Sequence, residues 1–146
     1  MNRINVFWWR WLVTVAVGVI VFGITLVAAP DLTRSAFSLL VFSSPNTIGV
    51  FSEPAFSYVG LAHAVVGALM FGWGIMILFI LLGPFRRGSR EAWLTIVIPL
   101  TAWFVPDTAF SLLSGFWQNA VLNTVFGGLF AVPLVATYGT FFERHS

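Results

Sequence analysis

Neither cysteine nor lysine occurs among the 146 residues, and each absence removes a body of chemistry. Without thiols there is no disulfide exchange, thiolate metal site or iron–sulfur cluster, and the chain says nothing about redox compartment. Without a lysine amine, neither retinal nor pyridoxal phosphate can be held as a Schiff base. Charge is also scarce. Charged residues are 8% of the chain, and a net +2 spread over flanking arginines gives no footprint for nucleic acid despite a pI of 9.9.

What is present is hydrocarbon. Hydrophobic residues make up 59% of the chain, with 16 Phe, 7 Trp and 2 Tyr, and mean hydropathy is +0.96. Soluble domains hold about 45–50% apolar residues. The excess excludes a soluble enzyme, a nucleic-acid reader and a disordered tail, and points to an integral membrane protein.

Four apolar runs, residues 7–29, 56–82, 92–113 and 117–142, each reach the ~20 residues needed to cross a hydrocarbon core. The expected fold is therefore an all-α bundle of four transmembrane helices in a single domain, residues 1–146. Val27-Ala28-Ala29 loosely resembles a signal-peptidase site, but the preceding run is longer than a signal-peptide core, so a retained span is expected. Trp8, Trp9 and Trp11, with Arg10 among them, read as an interfacial anchor at headgroup level. Only Gly115 and its neighbours separate the last two runs, so these form an antiparallel hairpin.

In a four-span arrangement Arg3, Arg10, Arg86, Arg87, Arg90 and Arg144 fall on one side and Arg34 on the other. By the positive-inside rule both termini and the second loop are cytoplasmic, in a plasma or inner membrane. The first loop, residues 30–54, contains Ala36-Phe37-Ser38-Leu39-Leu40-Val41-Phe42, which predicts an interfacial or re-entrant helix, either a surface anchor or a lid.

Three polar residues fall at one depth when counted from the outer ends of their spans. His63, Asp107 and Asn123 each lie on the order of 10 Å below that boundary. Thr25 approaches the same layer from the first span, and Ser111 and Asn119 lie between it and outside water. Asp107 and Ser111 share a helical face, as do Asn119 and Asn123. On the second span Gly60, His63, Ala64, Gly67, Phe71 and Gly74 form a stripe of mostly small residues that lets helices approach. An acid inside a span must face protein or water, so Asp107 is expected to point inward.

This layer has two readings. In one, Asp107, His63 and the asparagines hydrogen-bond one another and fix helix register. In the other they line a polar pocket open to the outer side, with His63 as a proton partner, ligand donor or axial ligand. A zinc site is poorly supplied: only His63, Asp107 and Glu53 are at hand, with His145 on the opposite side, so no metal is expected. A haem or chlorophyll-type pigment through His63 alone would need the space beside Gly60 and Gly67. A Ser111–His63–Asp107 triad lacks the strained turn of a nucleophile elbow, and the apolar inner halves of the spans disfavour a pore. The expected function is a non-catalytic subunit or oligomeric component of a larger membrane assembly, with membrane proteins or further copies of itself as partners in the lipid bilayer. The rival is a small membrane enzyme or a binder of lipid or another hydrophobic ligand that uses the outer pocket.

Overall fold

The computed structural model describes residues 4–45 and 47–142. Arg3, Arg144 and His145, which entered the charge and ligand arguments above, lie outside the described residues. The described chain is helical without a strand. Four helices are long and apolar enough to cross a membrane: α1 (Val6–Ala28), α3 (Glu53–Ile80), α4 (Arg90–Leu113) and α5 (Trp117–Phe142). Their outward side chains suit lipid rather than water, since Phe79 and Val135 are 73% and 72% exposed.

Between α1 and α3 lies α2 (Pro30–Phe42), followed by a single 3-10 turn at Thr47–Val50. The helix begins at a proline because the first helical N–H needs no partner there, and Asp31 in the first turn complements the positive end. Ser43 ends it with φ 56°, in the left-handed region. The end of α3 is equally local in origin. Gly83 leaves helical geometry at φ −102°, ψ −105°, ahead of Pro84 in a wide turn over Leu81–Phe85. Ser89 then caps α4, accepting from the Ala92 N–H at 3.2 Å while its hydroxyl donates to the Glu91 carboxylate at 2.8 Å.

Two compact units divide the chain. The first comprises residues 4–17 and 75–142, the second Gly18–Gly74. In the first, Leu12, Ile77, Leu81, Phe85, Ile96, Phe130 and Leu134 are buried almost completely. Three indoles stitch this unit through main-chain carbonyls: Trp9 Nε1 donates to Leu81 at 2.9 Å, Trp11 Nε1 to Leu129 at 2.9 Å, and Trp93 Nε1 to Leu134 at 3.1 Å. The N–H groups of Trp9 and Trp11 thus bond main-chain carbonyls of the same unit. Arg86 lies 4.6 Å over the Trp9 ring and Arg90 4.6 Å over the Phe142 ring, so the start of α1, the α3–α4 connection and the end of α5 meet at one end of this unit.

In the second unit α1 and α3 touch backbone to backbone. A Cβ on Gly23 would lie 2.6 Å from the Phe71 nitrogen and 2.7 Å from the Gly67 oxygen. A Cβ on Gly67 would meet the Gly23 oxygen at 2.6 Å. Gly74 is in turn packed against Ile20. Gly67 and Gly74 of the small-residue stripe therefore serve close approach of α1 and α3.

Candidate functional site

The α4–α5 hairpin is fixed by its turn. Gly115, at φ 81°, lets the Phe116 N–H reach the Ser111 carbonyl at 2.7 Å and its own N–H reach Leu112 at 3.3 Å. These two bonds satisfy carbonyls at the end of α4 that would otherwise lack a helical partner. A left-handed residue there needs no Cβ, which is why glycine occupies it.

One turn below, the predicted polar residues of the hairpin close on one another. Ser111, 2% exposed, donates its hydroxyl to the Asp107 carbonyl at 2.7 Å and accepts from Asn119 Nδ2 at 2.8 Å. The same amide group also reaches Asp107 Oδ1 at 3.2 Å. The 3.5 Å approach of Ser111 Oγ to Oδ1 is at the limit of bonding, and the single hydroxyl proton is better placed toward the carbonyl. Buried Asn123 belongs to a separate pair, donating to Thr108 Oγ1 at 3.4 Å. Asp107, Ser111 and Asn119 thus come together, and Asn123 finds a neighbour that the sequence reading did not single out.

Farther along the same two helices lies an apolar groove of about 300 Å³ lined by Leu100, Thr101, Phe104, Thr124, Gly127, Gly128 and Ala131. Its two threonines turn their hydroxyls onto their own helices, to Val97 at 2.9 Å and Ala120 at 2.8 Å, and so present little polarity to an occupant. The glycines differ in role. A Cβ on Gly127 would meet the Phe104 ring at 3.1 Å, whereas one on Gly128 would find open space.

His63 and Thr25 belong to the second unit. Thr25 directs its hydroxyl back to the Val21 carbonyl at 2.9 Å, and its own carbonyl accepts from Thr33 Oγ1 at 3.4 Å. The His63 imidazole packs on Phe37 of α2 with ring centroids 4.7 Å apart. Its Nδ1 is buried without a hydrogen-bond partner. Leaving such a group unsatisfied costs about 1–3 kcal/mol. One and two turns earlier on the same face of α3, Gly60 and Phe56 receive Arg34, whose guanidinium lies 4.1 Å over the Phe56 ring.

The pigment idea can be tested on this packing, and the residues do not fit it. The Arg34 Nη1 atom lies 3.0 Å from where a Gly60 Cβ would be, and Gly67 is covered by Gly23 and Leu26, so the flanks a macrocycle needs beside His63 are filled. Among the described residues no three His, Asp, Glu or Cys side chains gather as a metal site.

The Arg34, Phe37, Phe56 and Gly60 contacts were missed as a constellation because they join a loop helix to a span. Their signal was present in the spacings 34/37 and 56/60/63, which place each set on one helical face. Comparison with protein-family models, curated proteins and solved structures finds no match to this chain.

Proposed function

We propose that this protein is a non-catalytic component of a larger membrane assembly, and that the groove on the α4–α5 hairpin receives a transmembrane helix of a neighbouring subunit. The observation that carries the reading is the open floor at Gly128, in a groove whose two hydroxyls, Thr101 and Thr124, are already bonded to their own helices. A backbone can approach closely there, which is how helices associate in lipid. The hairpin's carboxylate supports the same reading: Asp107 Oδ1, Ser111 and Asn119 are engaged with one another in bracing two helices.

In this proposal the termini and the α3–α4 connection face the cytoplasm. Arg86 and Arg90, stacked on Trp9 and Phe142, supply the positive end that the orientation rule requires. Helix α2 then lies at the outer interface as a surface helix packed on α3.

The test is native mass spectrometry of gently solubilised wild-type and Gly128→Leu chains. Wild type is expected to carry stoichiometric copies of a second chain or of itself. Leucine at Gly128 fills the groove and is expected to release them while thermal unfolding in detergent stays unchanged. A wild-type chain that flies alone, or partners retained by the leucine variant, would overturn the proposal; acyl lipid lost from the variant in place of protein would assign the groove to lipid.

A further inference from the structure

The second unit carries a different kind of site, independent of the assembly reading. Arg34 is a largely buried cation. Its side chain is only 14% exposed, its plane rests on Phe56, and Gly60 leaves the space its Nη1 occupies. Its counter-ion is of the opposite character. Asp31, three residues earlier on α2, pairs with it from a side chain that is 92% exposed. A pair with one partner so open to water is held weakly, and a guanidinium has five donors, more than one exposed carboxylate can use.

One turn along α3 from Gly60, which faces Arg34, sits the unpartnered Nδ1 of His63. Gly60, against which Arg34 packs, and His63 are three residues apart, a rise of about 4.5 Å, short enough for one anionic group to bridge with two hydrogen bonds of about 2.9 Å each. The walls between are aromatic, Phe37 on α2 and Phe56 on α3. Helix α2 begins at Pro30, directly after the apolar α1 ends at Ala28, so in the four-span arrangement this cluster stands where the apolar core gives way to head groups.

We infer that Arg34 and His63 form a two-point site for an anionic amphiphile, a phosphate or carboxylate head on an apolar tail. The head group displaces Asp31 from Arg34, its anionic oxygens accepting from the guanidinium, as planar forked donors favour. A second oxygen of the head accepts from the His63 Nδ1–H, in the tautomer that carries the proton there. Asp31 acts as an internal competitor that occupies the guanidinium in the unliganded protein.

The experiment uses the full chain, delipidated in detergent, with phosphatidylglycerol and oleate titrated separately and phosphatidylcholine as the zwitterionic control. Native mass spectrometry counts the bound equivalents. One equivalent of an anion is expected to bind more tightly than phosphatidylcholine, and whichever of the two is preferred identifies a phospholipid or a free fatty acid as the source. Arg34→Gln is expected to weaken it about ten-fold or more, and His63→Phe, which keeps the ring on Phe37, about three-fold. Asp31→Asn removes the competitor while leaving the cation in place, and is expected to tighten binding. Anions held no better than phosphatidylcholine, an unchanged Arg34→Gln or His63→Phe, or binding that fails to tighten in Asp31→Asn would each overturn the site. The aspartate variant separates binding from folding, since a merely structural ion pair predicts no gain from its loss.

Discussion

The indole N–H of Trp11 donates to the Leu129 carbonyl at 2.9 Å across 118 residues of sequence. Leu129 is the residue whose helical donor would be the N–H of residue 133, and residue 133 is proline. The proline leaves a carbonyl without its helix bond, and a tryptophan from another helix replaces the missing donor.

That relationship predicts a coupling. Trp11→Phe is expected to cost about 1 kcal/mol in the wild-type background, the usual worth of one such bond. In a Pro133→Ala background the helix supplies its own N–H, and the same change is expected to cost much less. A double-mutant cycle by denaturant unfolding in micelles measures the difference; equal costs in both backgrounds would separate Trp11 from Pro133.

The brace on the hairpin makes its own prediction. Asp107→Asn keeps an oxygen for Asn119 to reach and is expected to hold stability within about 0.5 kcal/mol, while Ser111→Ala removes both a donor and an acceptor and costs about 1–2 kcal/mol. Thermal unfolding of the two variants decides. A large loss in Asp107→Asn alone would mean that the charge itself matters to the fold.

At the α1–α3 contact, substitution by alanine has no room. Gly23→Ala or Gly67→Ala places a methyl within 2.7 Å of facing backbone, so the helices must separate. The expected loss is about 1–3 kcal/mol, by the general cost of overpacking. Gly18→Ala and Gly72→Ala, which meet nothing within 4 Å, serve as controls and are expected to be neutral or slightly stabilising. Melting temperatures that fail to separate the two pairs would contradict the contact.

Orientation is checked by chemistry on a chain that has no native thiol. A cysteine at Thr47 is expected to react with an impermeant maleimide in intact cells and one at Ser89 to be protected until the membrane is opened. The reverse pattern would invert the proposed topology.

The four long helices were legible because each depends only on a run of apolar residues and its breakers, both local properties. Asp107 with Ser111 was legible for a similar reason, since residues four apart share a helical face. The partner of Asn123 and the cover over His63 were not. In lipid the outside of a helix is as apolar as the inside, so hydrophobic periodicity does not reveal which side meets protein. Nor does a freed carbonyl announce its donor: the sequence marks Pro133, but only the packing of α1 brings Trp11 to Leu129.

Six hydroxyls on the long helices, those of Thr25, Thr95, Thr101, Ser111, Thr124 and Thr137, donate to the carbonyl four residues back in their own helix. Such groups need no neighbour in order to enter a bilayer. Asp107 differs, for its side-chain oxygen takes its amide donor from Asn119, which is made twelve residues later. In the four-span arrangement α4 lacks this amide donor until α5 has been made, and the two helices are expected to enter the membrane as a bonded pair.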